Sequence, residues 1–433
     1  MAAPSPSTGP RAPRAVQRER ISAGFVLLLS ALTAIGPLTF DTYLAAFPKI
    51  TTDLGATPAA VQLTLTASLA GLAAGQLLLG SLSDAYGRRR PLLGALTVYV
   101  LASASVVLVT SVETLTVLRV VQGFSAAAGM VLSMAIVRDR YEGVAMSRVI
   151  ARLMLIVGVA PVLAPTIGAQ LLRFGSWRLI FGFLTLIGAV LLVLAATTLR
   201  ESLPPERRRT GGTRAALRTY RALLVDRSFL GLALLSAFYL AAMFTYVSSS
   251  TYVFQDGFDL TAQQFGWVFA TGAVAITAGT QVNGALVNRL RPEQILSAAV
   301  LAGVVVSSGL VVVALAGAPF WPLTTLLILT LATAGFVMPS APAIALASNP
   351  HRAGSAAALL GALQFGLGAL IAPVTSLGGT PTAVRMALVM WGVIVVAAGL
   401  LVAVRRGWAQ QEGAAPLGAT PSVSTDSPLA TRS

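Results

Sequence analysis

Uncharged apolar runs of about twenty residues recur along this 433-residue chain, each closed by proline, glycine or arginine. A helix of that length crosses about 30 Å of hydrocarbon. The runs predict helices over 22–47, 59–83, 91–111, 114–137, 147–171 and 177–199, then over 228–253, 262–287, 294–316, 320–346, 353–376 and 383–404. That makes twelve, in two sets of six. Pro48, Pro58, Pro91, Pro292, Pro322, Pro350 and Pro381 stand at or near their ends, as helix boundaries favour. The alternating ten-residue segments of a transmembrane barrel are absent. The pattern is that of an all-α polytopic membrane protein in two pseudo-symmetric six-helix halves.

Basic residues sort the loops onto two sides. One side takes Arg11, Arg14, Arg18, Arg20, Arg88–Arg90, Arg138, Arg140, Arg148, the arginines of 200–227, Arg289, Arg291, Arg352, Arg405 and Arg406. The other takes Lys49, Arg173, Arg178 and Arg385. The positive-inside rule then puts both termini in the cytoplasm, with the chain multi-pass in the plasma (cytoplasmic) membrane. The expected organisation is a disordered basic tail (1–21), a first half (22–199), an interdomain loop (200–227), a second half (228–404) and a disordered tail (405–433). The first apolar run is too long for a removable signal peptide and lacks a small-residue cleavage pattern. TRAALRTYRALL in the loop is expected to form a helix along the membrane surface. A short repeat supports two related halves: GSLSD (80–84) aligns with GALVN (284–288), and AAGQ (73–76) with TAGT (277–280) in the same register. Parallel six-helix halves are a transporter architecture with a site between them near the midplane.

Composition agrees and removes other chemistries. The chain is 56% hydrophobic and only 10% charged, where a soluble domain carries about a quarter charged residues. It has no cysteine, so thiolate metal sites, disulfides and iron–sulfur clusters are excluded, and His351 is its only histidine. Lys49 is the only lysine and has no glycine-rich context, so there is no nucleotide-binding P-loop. No cofactor, metal or enzymatic activity is expected. The net charge of +15 is spread through short loops rather than gathered on one face, so it reads as an orientation signal and not as nucleic-acid binding. The expected partners are a small-molecule substrate, protons and the bilayer, with the protein a monomer.

Four stretches carry candidate chemistry. In GSLSDAYGRRRP (80–91), Gly80 permits close helix approach, Gly87 a tight turn, and Asp84 sits among Arg88 and Arg89. This stretch resembles the signature loop of the major facilitator superfamily. The resemblance implies a twelve-helix alternating-access transporter in which Asp84 and Arg88 are gate residues latching the halves together. The alternative is that the arginines only anchor the loop. In RVVQGFSAAAG (119–129), Arg119 is a guanidinium within an apolar helix, and Gly123 and Gly129 bracket a small-residue face. Arg119 and Gln122 are similar to an Arg-x-x-Gln-Gly pattern of the superfamily's proton-coupled members; the alternative is an arginine that snorkels to the surface. GVAPVLAPTIG (158–168), with Gly158, Pro161, Pro165 and Gly168, is similar to the antiporter motif, which is associated with export. It departs from the usual Gly-Pro pair. Small residues along 353–373 are expected to line the partner helix, with Gln364 as a polar group within it.

The fourth stretch is GPLTFDTYLAAFPKI (36–50). Asp41 is the one acid well inside a predicted span, and such acids mark ion or substrate paths. Burial disfavours the charged carboxylate, so a proton or a cation must neutralise it. Competition between the two for one group is the thermodynamic core of antiport. DTYLAAFP resembles a segment of the bicyclomycin- and chloramphenicol-type (Bcr/CflA) drug:proton antiporters, with Ala45 where that group often has proline. Asp41 is the expected protonation or cation-sensing group, modulated by Arg119; the alternative is a local role at a helix broken by Pro37. Tyr43 and Tyr239, among Phe40, Phe244, Tyr246, Tyr252 and Trp267, are candidate substrate contacts. The leading expectation is a secondary transporter that exports lipophilic drugs or small metabolites in exchange for protons. Uptake of a small solute by proton symport, or a non-transporting membrane sensor or scaffold, are the alternatives.

Overall fold

A computed structural model describes residues 22–208, 212–377 and 379–413. The first group of helices is α1 (Ala23–Asp41), a short α2 (Phe47–Asp53), α3 (Pro58–Tyr86), α4 (Arg89–Val106), α5 (Val112–Arg140), α6 (Gly143–Phe174) and α7 (Arg178–Thr198). A connecting helix α8 (Gly212–Val225) follows. The second group is α9 (Arg227–Gln255), α10 (Ala262–Leu286), α11 (Pro292–Leu315), α12 (Phe320–Ala347), α13 (Ala353–Ile371) and α14 (Ala383–Gly413). Ten helical stretches among the described residues are long and apolar enough to cross a membrane, the first running through α1 and α2; α4 and α6 are not in that set. α4 opens on Arg89–Arg90, which dilutes its apolar character.

The packing repeats between the groups. α1 packs on α6 and α7, and α9 on α13 and α14. α3 packs along α5 as α10 does along α12, while α4 joins α5 and α7 as α11 joins α12 and α14. The aligned stretches GSLSD and GALVN therefore close equivalent helices, α3 and α10. Between the groups, α3 meets α13 and α6 meets α10.

Glycine sets the closest approaches. A Cβ at Gly71 of α3 would collide with the Val120 carbonyl of α5, and one at Gly123 of α5 with the Ser68 carbonyl of α3. Gly335 of α12 stands in the same way against the Ile276 carbonyl of α10. Small residues here let two backbones touch, which is how helices associate where lipid removes the hydrophobic drive.

The first predicted helix, 22–47, is interrupted. α1 ends at Asp41, and a 3-10 turn (Leu44–Ala46) leads into α2. Pro37 has no N–H to give to the preceding turn. Thr39 and Thr42 donate their hydroxyls back to the Ile35 and Leu38 carbonyls, each at 2.6 Å, a pattern that bends helices. Gly168 of α6 makes room for the Thr42 carbonyl at the break, where a Cβ would collide with it.

Candidate functional site

Arg119 lies in the middle of the first group, fully buried. It does not snorkel. Its Nη1 donates to Gln122 Oε1 at 2.5 Å, one helical turn on, and its Nη2 donates to the Thr39 carbonyl at 3.1 Å. The guanidinium sits 4.1 Å above the Tyr43 ring and 5.7 Å from that of Phe181. Gln122 Nε2 continues to Ser103 Oγ at 2.7 Å, and the hydroxyls of Thr39 and Tyr99 meet at 2.7 Å. Tyr43 in turn meets Thr64 Oγ1 at 3.2 Å. α1, α3, α4 and α5 are thus joined through one buried cation held by dipoles and rings. Among the described residues no carboxylate pairs with Arg119; the ion pairs are Arg88–Asp84, Arg88–Asp139 and Arg178–Asp53.

Asp41 is buried at the break that ends α1. Among the described residues it makes no hydrogen bond and no ion pair, and it caps no helix. Arg119 reaches the backbone of Thr39, two residues before it, and stops there. The Asp41 carboxylate acts electrostatically on the Tyr246 phenol of α9, across the seam between the groups. Tyr246 is stacked on Phe269 of α10 at 5.3 Å and 20°. The acid is therefore within electrostatic range of an aromatic pair contributed by the other half.

The remaining candidates are placed unevenly. Gln364 is buried on α13, near Gly361, where a Cβ would collide with the Gln76 side chain of α3. Tyr239 is not at the seam. Its hydroxyl lies against Gly303 of α11 and Thr333 of α12, inside the second group, because those two positions are small enough to admit the ring. Phe244 likewise packs within the second group, 5.9 Å from Phe365 and against Gly368. Trp267 is 68% exposed and faces outward.

The seam is closed at the end that carries Lys49. Gln62 of α3 donates to the Ser248 carbonyl of α9 at 2.8 Å and accepts from Ser376. Thr251 donates to the Leu44 carbonyl at 3.2 Å, Gln255 to the Ala45 carbonyl at 3.4 Å, and Tyr252 meets Thr51 at 3.2 Å. Ser249 meets Thr375 at 2.7 Å behind them. Of these side chains only Tyr252 was named from sequence, and as a candidate substrate contact rather than as part of a closure. A signal was present: Ser248–Ser249–Ser250–Thr251 places four small hydroxyls in succession in an otherwise apolar helix, and all four are buried.

At the opposite, Arg-rich end the halves part around a cavity of about 440 Å³. Gln76, Met130 and Met134 line it on one side, Ala357 and Ala358 of α13 on the other, and Tyr220 of α8 also borders it. The predicted gate loop lies on this cavity, but among the described residues its bonds go to the first half and to Glu201 just after it, and none reaches the second half. Arg88 Nη1 contacts Asp84 at 2.5 Å and Arg88 Nε contacts Asp139 of α5 at 3.0 Å. Burial works against the Arg88 cation, yet Asp139 and Asp84 hold its pKa above the ordinary arginine value. Gly80 faces Val131, and Gly87 turns at φ +89°. Arg89 donates to the Leu199 and Ala196 carbonyls at the end of α7. Glu201, also missed from sequence, accepts from the Arg88 and Arg89 backbone amides at 2.7 and 3.2 Å and seals the start of α4.

Of the antiporter-like stretch in α6, Gly158 and Pro161 lie within the helix, and their surroundings are outside what the structure describes. Pro165 and Gly168 are buried, and Gly168 meets the α1 break as described above. At the next residue, the Ala169 carbonyl accepts from Gln263 of α10 at 3.3 Å, which ties α6 to the other half.

The comparisons with known proteins agree with this architecture. The Major Facilitator Superfamily profile matches residues 29–373. The chain is 38% identical over 381 residues to an uncharacterized MFS-type transporter, YdgK, of Bacillus subtilis (strain 168), covering 88% of this chain and 94% of that one. It is 30% identical over 377 residues to a bicyclomycin resistance protein homolog of Haemophilus influenzae, covering 86% and 94%. Among solved structures, the partially occluded inward-open xylose transporter XylE of E. coli superposes with a TM-score of 0.69 at 14% identity, covering 88% and 97%. A bacterial homologue of the lysosomal transporter Spinster, inward-facing and occupied, also gives 0.69, at 15% identity, covering 89% and 97%.

Proposed function

The chain belongs to the Major Facilitator Superfamily, and we propose that it is a proton-coupled antiporter that exports lipophilic small molecules from the cytoplasm. The observation that carries this reading is Asp41: a buried carboxylate with no ion pair and no hydrogen bond among the described residues, set at a helix break within electrostatic range of Tyr246 of the other half. An acid in that setting is neutralised by whichever proton or cation reaches it. The stacked Tyr246–Phe269 pair suits a lipophilic cation, which can satisfy the carboxylate and the rings together. A relative 30% identical over most of both chains is named for bicyclomycin resistance, which favours export of a drug-like compound over uptake of a nutrient.

In this reading the Arg-rich face is cytoplasmic. The cavity between α3, α5 and α13 is then open to the cytoplasm, and the Gln62–Ser248 contacts close the outside. Substrate enters from the cavity and reaches Asp41 in exchange for its proton. The halves rock about the α3–α13 and α6–α10 contacts, substrate leaves outside, and an external proton returns Asp41 to its neutral form. One proton entering for each monovalent cation leaving moves no net charge, so the pH gradient drives the exchange, about 1.4 kcal/mol for each pH unit. Arg119 is a positioning residue here: it holds the Thr39 carbonyl and so the geometry of the break that presents Asp41. The protein acts as a monomer in the plasma membrane with no cofactor.

The test uses inverted vesicles with an imposed proton gradient and a pH-sensitive dye. Addition of lipophilic cations should dissipate the gradient with the wild type and not with Asp41→Asn. Equal dissipation by both proteins would remove Asp41 from the coupling. No dissipation by any compound in a broad panel would overturn the antiport reading.

A further inference from the structure

Two faces of the connecting helix α8 differ sharply. Its inner face is anchored: Leu223 is fully buried, and Tyr220 donates its hydroxyl to the Leu77 carbonyl of α3 at 3.3 Å. α8 also packs on α13 and α9, so it lies across both halves at the Arg-rich end, with Thr219 and Tyr220 in the wall of the cavity. Its outer face is open. Leu217 is 69% exposed, Leu224 42% and Val225 74%, with Arg218 and Arg221 exposed between them and Arg227 just beyond.

Leu217, Arg221 and Leu224 follow one another at helical spacing and form one stripe. No aspartate or glutamate occurs in 212–225. Exposed leucine and valine beside arginines that form no ion pair among the described residues make a poor water-facing surface, but they match the boundary of a bilayer. The apolar side chains enter the acyl edge while the guanidinium groups stay at phosphate depth. The depth is fixed by the neighbour: α9, which is long and apolar enough to span, begins at Arg227 immediately after α8. An acidic protein surface would match the arginines and leave the apolar stripe in water.

We infer that the outer face of α8 docks on anionic phospholipid headgroups of the surrounding bilayer, holding the link between the halves in the membrane surface beside the mouth of the cavity. The chain has no cysteine, so a single fluorophore on Leu217→Cys reports this site alone. The full-length labelled protein is placed in nanodiscs of phosphatidylcholine, with and without phosphatidylglycerol, each containing brominated acyl chains as quencher. Quenching should be stronger with phosphatidylglycerol, should fall to the phosphatidylcholine level at high salt, and should lose its dependence on phosphatidylglycerol in Arg218→Gln/Arg221→Gln. Equal quenching in both lipids, or a lipid difference that survives both high salt and the double substitution, would overturn the inference. The salt titration stands on the arginine-bearing protein, so it decides the matter even where the double variant folds poorly.

Discussion

Gln62 of α3 and Ser248 of α9 join the two halves at the Lys49 end, the glutamine amide donating to the serine carbonyl at 2.8 Å while its oxygen accepts from Ser376. Both groups are buried and neither is charged. A net hydrogen bond is worth about 1 kcal/mol, so two of them hold this end closed by a factor of roughly 30. Gln62→Ala should therefore shift the protein toward opening at this end. A cysteine at Ser249, buried behind the contact, should react faster with a membrane-impermeant maleimide in Gln62→Ala than in the parent chain. An unchanged rate would mean that helix packing alone closes the seam.

Arg119 is the largest polar side chain in the core of the first half, and its fork is used in two directions at once, to Gln122 and to Thr39. A lysine keeps the charge but cannot span both acceptors or lie flat over Tyr43. Arg119→Lys should lower the unfolding temperature in detergent, by the equivalent of about 1–3 kcal/mol for the acceptor left unpaired. It should also weaken transport, because the break that presents Asp41 loses its brace. Thermal unfolding of the purified variant checks the first effect and vesicle transport the second.

How much of this was legible beforehand depends on the range of the interaction. Arg119 with Gln122, and Asp84 with Arg88, are helix neighbours or nearly so, and their spacing shows in the sequence. The interruption at Asp41 was half legible: Pro37 announced a disturbance, but the helix end needed the back-bonding of Thr39 and Thr42 and the room given by Gly168. The placement of Tyr239 inside the second group was not legible because nothing local tells which side of a buried helix an aromatic occupies; Gly303 and Thr333, some sixty and ninety residues on by the numbering, decide it. Gln62 and Ser376 join each other across the halves, and Glu201 reaches Arg88 and Arg89 more than a hundred residues back, so these roles are invisible until the chain is folded.

Gly71 and Gly123 bring α3 and α5 into backbone contact, each against a carbonyl of the other helix. Neither neighbour is the movable tip of a side chain, so a larger residue forces the helices apart. Gly123→Val should cost about 1–3 kcal/mol or more and leave little folded protein after extraction. A change at Gly94, which has open space around it, should be tolerated. Comparing the monodisperse yield of the two variants tests the distinction; equal yields would show that the α3–α5 contact is not a determinant of folding.

Glu201 gives a pH dependence with a definite sign. Burial pushes its carboxyl up, but the backbone amides of Arg88, Leu203, Arg89 and Ser202 together pull harder and hold it below its ordinary value of 4.5. A carboxylate held below its ordinary value contributes stability that is present above that value and is lost as pH falls through the lowered one. The start of α4 should therefore be firm at neutral pH and loosen under acid, and Glu201→Gln should loosen it at neutral pH. Gly87 enters the same argument, since its φ of +89° suits glycine and a Cβ there would press on Glu201 Oε2 at 2.5 Å. Gly87→Ala should displace the carboxylate and reproduce the effect of Glu201→Gln without changing any charge. Hydrogen-exchange protection factors at the Arg88 and Arg89 amides, taken relative to the intrinsic rate at each pH, read all three cases: high in the parent at neutral pH, lower in both variants, and lower in the parent under acid. Protection that ignores pH and both substitutions would leave the Arg89 contacts to Leu199 and Ala196 as the bond that holds this loop.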